Sequence, residues 1–156
     1  LGGYPLVSVE RAGDGVRLRQ ERFAYEGGTD AAPASWAAPL LVASGGEAQG
    51  ADAAVSGRRL DKALLEAGGL VLELPDVDWV QANAGASGFY RVDYDAELRA
   101  ALTARAQEVL SPIERYGLVD DTWASVLAGR TTTPASSVTG TTWVYTWTSG
   151  CRTTAV

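Results

Sequence analysis

Asn83-Ala84-Gly85-Ala86-Ser87-Gly88-Phe89-Tyr90-Arg91-Val92-Asp93-Tyr94-Asp95 is the stretch in which the sequence changes its period. Before it, "LVLEL" (70–74) puts Leu70, Leu72 and Leu74 on one face, and "WVQANA" (79–84) groups Val80, Ala82 and Ala84. Within it, Gly85-Ala86-Ser87-Gly88 reads as a turn. "FYRVDY" then places Tyr90, Val92 and Tyr94 together, the alternation of a half-buried strand. After it, Leu98, Ala101, Leu102, Arg105 and Ala106 recur every three or four residues, which predicts a helix capped by Asp95. That capping role takes Asp95 away from Asp93, with which it would share a face only if the strand continued. "SPIE" opens a second helix, with Ser111 as cap, Pro112 at the first helical position and Glu114 completing a capping box. Ile113, Tyr116, Trp123, Val126 and Leu127 supply its apolar positions, and Gly129 is its natural stop.

Upstream, "LVSVERAGDGVRLRQERF" (6–23) reads as a β-hairpin whose loop is Ala12-Gly13-Asp14-Gly15. That loop pairs Val9 with Leu18 and Val7 with Gln20 on an apolar face. Glu10 meets Arg17 and Ser8 meets Arg19 on a charged one. Gln20 on the inner face must find a hydrogen-bond partner, such as a strand edge. Residues 27–35 read as a loop. "WAAPLLVASGG" (36–46) follows as a strand in which Pro39 demands a sheet edge or a bulge. "GGEAQGAD" (45–52) lacks the Lys and Ser/Thr of a phosphate loop and reads as a hairpin connection. "RRLDKALLEAGG" (58–69) suits a helical turn or a strand, and its setting favours the strand. The expected fold is mainly β with C-terminal α. An antiparallel β-sandwich, with Val9, Leu18, Leu72, Val80 and Val92 inward, precedes two or so helices.

Composition narrows the chemistry. The 156 residues carry 13 basic and 19 acidic side chains, a net charge of −6, which argues against a nucleic-acid partner. The sequence contains no His, so a Ser-His-Asp triad, a Cys-His dyad and any histidine-ligated zinc are excluded. It contains no Met, and an opening Leu1 reads as a chain cut from something longer. One cysteine, Cys151, cannot form an internal disulfide and suits a reducing compartment. No apolar run approaches the ~20 residues that span a bilayer, and no leader pattern is present.

Few residues invite a chemical role. Asp120-Asp121 is a carboxylate pair, but adjacent helical residues point about 100° apart, which suits a structural or solvated role. From Thr131 the sequence becomes dense in Thr and free of acidic residues. There Trp143, Tyr145 and Trp147 would line a strand as a sugar-stacking platform, and a tail in the wrong frame or disordered is the plainer reading. Cys151, with only Arg152 beside it, reads as a bystander.

Four segments occur in the order found in one family. "LVSVERAGDGVRLRQERF", "WAAPLLV", "WVQANAGASGFYRVDYD" and "SPIERYGLVDDTWA" resemble M1-family zinc aminopeptidases, the aminopeptidase N group, over roughly Gly3 to Arg130. The resemblance implies that Gly3-Tyr4-Pro5 is the exit from a catalytic domain and that 1–94 is a β-sandwich spacer. It further implies that 95–130 begins the C-terminal helical domain, leaving 131–156 as an atypical tail, with a frame change in a GC-rich gene as the preferred explanation. The parent would be a cytoplasmic zinc hydrolase that removes N-terminal residues from peptides. The partners of this piece would be the catalytic and C-terminal helical domains of the same chain. The family's His-Glu-x-x-His with its distal Glu, its Gly-x-Met-Glu-Asn segment and its oxyanion Tyr are missing from this sequence. No catalytic, substrate-binding or metal-binding residue is therefore expected here, and no zinc is expected in this piece. The alternative is a freestanding β-sandwich binding module that uses the tail aromatics.

Overall fold

Alternation decides the first pairing. In the computed structural model, which describes residues 3–25, 35–46 and 57–130, β1 (Pro5–Ala12) and β2 (Gly15–Arg22) form an antiparallel hairpin. Val9 lies opposite Leu18, Val7 opposite Gln20, Glu10 opposite Arg17 and Ser8 opposite Arg19, the register read from the sequence. Gly13 takes φ +56° in the connection, a conformation costly for a residue with a side chain. Val7, Val9, Val16 and Leu18 are buried, whereas Arg17, Arg19 and Glu21 stand in water and Arg19 pairs with Glu10 at 3.2 Å.

Two sheets face one another. One has the order β5-β2-β1-β7, with β5 at Leu70–Glu73 and β7 at Arg91–Tyr94. The other has the order β4-β3-β6, from β3 (Ala38–Gly45), β4 (Arg59–Leu65) and β6 (Trp79–Gln81). Residues 59–65 are thus a strand, as their setting suggested. Ala38, Leu40 and Val42 point inward and meet Val7, Val9 and Leu18 in one core with Leu65, Val80 and Val92. Leu72 packs against that core, half-buried. Pro39 pairs with Leu64 on one side, while β6 pairs only with Ala43–Gly45, so the proline sits where β3 has a single neighbour. That is the edge position its missing N–H requires.

The expected fold, mainly β in antiparallel-rich sheets with helices at the C-terminal end, is the one observed, with one strand as an exception. The sandwich is not antiparallel throughout: β7 runs parallel to β1, with Val7 beside Val92 and Val9 beside Tyr94. The chain crosses from the second sheet to the first between Gln81 and Arg91, so no tight hairpin fixes the direction of β7. β7 also starts two residues later than "FYRVDY" suggests, which leaves Phe89 outside the strand.

Three helices follow: α1 (Ala96–Ala104), α2 (Ala106–Val109) and α3 (Pro112–Leu127). Asp95 caps α1 through Leu98 N–H (2.8 Å) and takes the Arg11 N–H on its other oxygen (2.7 Å). The helical repeat continued through Ala106 in the sequence, but the helix breaks at Arg105, and only Leu98 and Leu102 of α1 are buried. On α3, Ile113, Tyr116, Val119, Trp123 and Leu127 are exposed, while Glu114, Ala124 and Ser125 are buried. The apolar stripe thus faces away from the sandwich. Most of the loop at 27–35, the glycine-rich connection beyond Gly46, and the tail with Trp143, Tyr145, Trp147 and Cys151 lie outside the described residues.

Gln20 finds the partner its burial requires. Its Nε2 donates to the carbonyls of Trp36 (2.7 Å) and Leu65 (3.1 Å), and its Oε1 accepts from Trp36 N–H (2.9 Å), so one amide joins the two sheets. Replacing it by Leu strands three backbone groups. We expect Gln20→Leu to lower the unfolding free energy by about 1–3 kcal/mol in urea titrations, with the m-value unchanged.

Candidate functional site at the sandwich–helix joint

The turn in Asn83–Asp95 is held from several sides. Asn83 Oδ1 accepts from Gly88 N–H (2.8 Å) and its Nδ2 donates to Gly88 O (3.2 Å), closing the loop across its neck. Ser87 Oγ donates to Ala84 O at 3.0 Å. Gly85 has φ +68°, and Ala86, unusually for a residue with a side chain, has φ +51°. A Cβ at Gly88 would stand 2.0 Å from the Tyr90 ring, so only glycine fits there. The turn is rigid.

Glu114 ties this turn to everything around it. Its side chain is 2% exposed. Oε1 accepts from Arg58 Nη2 at 2.5 Å and from Gly85 N–H at 2.7 Å. Oε2 accepts from Ser111 N–H and Ser111 Oγ, both at 2.8 Å, and from Arg58 Nη1 at 3.3 Å. The same Arg58 Nη1 donates to Val109 O at 2.8 Å. Burial pushes this carboxyl up, but Arg58 and the hydrogen bonds from Gly85 and Ser111 outweigh it and hold it near 2. The capping box predicted at Ser111–Glu114 is present, but sequence reasoning missed that Glu114 also receives Arg58 and Gly85. Arg58 lies 56 residues away, and no local spacing signals it.

A second polar cluster sits inside the sandwich. Tyr94 donates its hydroxyl to Gln81 Oε1 (2.6 Å) and accepts from Ala82 N–H (2.9 Å), and Tyr90 donates to Ala82 O (2.8 Å). Burial pushes the Tyr90 phenol to about 12 and Tyr94 further in the same direction, so both stay neutral donors.

Asp93 is a strand residue that meets the helices. It pairs with Arg99 (2.9 Å) and Arg130 (3.0 Å) and accepts from Ser125 Oγ (3.1 Å), while Arg130 also reaches Glu21. Asp120 and Asp121, expected to diverge, converge on one cation. Arg91 Nη1 contacts an oxygen of Asp120 and lies 3.3 Å from Asp121 Oδ1. The long guanidinium reaches between two carboxylates that could not meet each other. Burial pushes Asp121 up to about 6 against the pull of Arg91.

These carboxylates do not fit zinc. Each is committed to an arginine or a helix cap, and no group of three His, Cys, Asp or Glu side chains among the described residues could hold a metal ion. With no His in the sequence, the nitrogen ligands that zinc hydrolases favour are missing from this chain.

Mixed sandwich, crossing turn and capped helices define an all-protein joint between a β unit and a helical unit. Residues 79–139 match the model of the ERAP1-like C-terminal domain, from β6 through the joint and past α3. Over 82% of its length the chain is 34% identical to Tricorn protease-interacting factor F2 of Thermoplasma acidophilum. It is 32% identical, also over 82% of its length, to both the puromycin-sensitive aminopeptidase of Caenorhabditis elegans and the leucyl aminopeptidase of Saccharolobus solfataricus. The resemblance to M1-family aminopeptidases carried by the motifs is therefore shown. The chain spans about 14% of the length of these relatives, so it is similar to one stretch of them.

Two substitutions separate the two perturbed carboxyls. Glu114 is depressed below its ordinary 4.5, so its contribution is whole above that pH and is lost as pH falls toward 2. Asp121 is raised above its ordinary 3.8, so its contribution is whole below that pH and is lost as pH rises through about 6. Glu114→Gln should cost about 3 kcal/mol at pH 7, the low end for a broken buried pair because Arg58 keeps some water, and should flatten the acid limb. Asp121→Asn should instead flatten the slope between pH 4 and 6. Denaturant titrations from pH 2 to 8 measure both.

Proposed function

We propose that the chain is a segment of a zinc-dependent M1 aminopeptidase that removes N-terminal residues from peptides. Its β unit acts as a spacer that joins the catalytic domain to the C-terminal helical domain. The observation that carries this reading is the position of the family match. It opens at β6, inside the sandwich, and runs through the joint into α3, so one stretch of chain spans both units. The similarity to proteins named as aminopeptidases supports a peptidase parent. The committed state of the carboxylates supports a structural role for this segment. The joint built on Glu114 and Asp93 is what a spacer needs, because it fixes the angle between the units it links.

The chemistry of the parent would lie outside this segment. Zinc hydrolysis requires about three protein ligands around an open position and a base for the metal-bound water. Within this segment, no step is assigned to any side chain. A cytoplasmic setting agrees with the single Cys151, and no helix among the described residues is long and apolar enough to cross a membrane.

The test has two arms. After dialysis against zinc, the 156-residue chain should retain less than stoichiometric metal and show no turnover of alanyl or leucyl chromogenic substrates. The parent, with its upstream sequence present, should retain stoichiometric zinc and turn these substrates over. Stoichiometric zinc with turnover by the chain itself would overturn the spacer reading.

A further inference from the structure

Each sheet of the sandwich ends in two edge strands, and three of these edges are closed or guarded by the chain itself. The edge at β7 lies against α3, where the Val92 N–H donates to Asp121. The edge at β6 lies against α1. β4 is guarded by charge instead. Asp61 pairs with Val42, which puts its carboxylate on the core-facing side, and Lys62 stands on the other side. An inward-pointing charge and a lysine are devices that stop an edge strand from recruiting another. β5 has neither.

The backbone of β5 shows what is left open. Leu74 N–H donates to Asp14 O at 3.0 Å, and Leu72 and Leu70 lie opposite Val16 and Leu18 in the same ladder. Successive residues of a strand point their N–H and C=O groups to opposite sides, so Val71 and Glu73 turn theirs away from β2. These groups have no hydrogen-bond partner among the described residues. Their side chains are exposed as well, Val71 at 55%. Leu70 and Leu72 are half-buried at the rim of the core.

We propose that β5 pairs edge to edge with β5 of a second copy of this chain, antiparallel about a two-fold axis at Leu72. The strand itself selects this occupant. In that register Val71 of one copy faces Glu73 of the other, so the two residues with open backbone groups exchange both hydrogen bonds, and symmetry repeats the exchange. Leu72 meets Leu72 on the core side, which takes half-exposed leucine surface out of water. No charge stands directly opposite a like charge. The same operation on β4 sets Lys62 against Lys62, or Asp61 against Asp61 one residue along. The two four-stranded sheets then run on as one across the axis. A strand of four residues buries little area, so the dimer is weak and depends on concentration.

Two opposite charges at position 71 test the pairing and its register together. The 156-residue chain is followed by sedimentation equilibrium from about 10 µM to about 1 mM, the range in which a small interface associates. Reducing agent keeps Cys151 from linking copies, and about 0.15 M salt screens the net charge of −6. The mass should rise from monomer toward dimer across this range. Val71→Glu, opposite Glu73 of the second copy, should raise the dissociation constant about fivefold or more, and Val71→Lys should lower it. Val71→Pro removes an N–H that β2 does not use and should leave a monomer. Position 71 is on the surface, so circular dichroism should show each variant folded. Were the proline variant to unfold, the Glu and Lys variants still decide. A monomer at every concentration would overturn the proposal. So would a dimer unchanged by Val71→Glu and Val71→Pro, since the contact would lie elsewhere. Equal weakening by Val71→Glu and Val71→Lys would overturn the register, and the proposal with it, since Val71 would then face Val71.

Discussion

A buried carboxylate is costly unless it is fully supplied with donors, and Glu114 is supplied with five hydrogen bonds from three parts of the chain. Arg58 leads into β4, Gly85 lies in the crossing turn, and Ser111 begins α3. None of these segments can shift without leaving a charge unpaired in the interior. That constraint turns a sandwich followed by helices into a joint of fixed angle. The pair acts on geometry more than on net stability, because the desolvation of two charges consumes most of what their attraction returns. Asp93 repeats the arrangement further along, gathering Arg99, Ser125 and Arg130 onto β7. Asp95 repeats it once more between β1 and α1.

Much of this was legible in the sequence wherever the signal is local. The β1–β2 register follows from two faces that differ in polarity, because any slip would set Glu10 or Arg17 against the core. Asp95 and Ser111 announce themselves as caps through their spacing from Leu98 and Glu114. The direction of β7 was not legible, since alternation of Tyr90, Val92 and Tyr94 reports which face is buried and is the same in parallel and antiparallel strands. The double life of Glu114 was hidden for a related reason. The capping box already accounts for that residue, and Arg58 comes from a distant segment. Asp120 and Asp121 were read through the angle between them, which ignores that an arginine from another element can reach both.

The exposed stripe on α3 shows where periodicity stops informing. Ile113, Tyr116, Trp123 and Leu127 share one side of the helix as their spacing requires, but spacing does not say what covers that side. Here the sandwich covers the opposite side, with Glu114, Ala124 and Ser125. The helix buries its polar capping residue and leaves its aromatics uncovered among the described residues. The same division of labour, a polar clasp inside and an apolar display outside, recurs in the turn that carries Phe89.

The central claim is that Glu114 makes the sandwich and α3 one cooperative unit. Native-state hydrogen exchange tests it most directly, by comparing the opening free energy of Gly85 N–H and the mid-α3 amides with that of the β1–β2 ladder. The account predicts that all three open together in the global transition, and that their protection falls in parallel as denaturant rises. It would be contradicted if α3 and Gly85 exchanged through a lower-energy opening while the β1–β2 amides stayed protected.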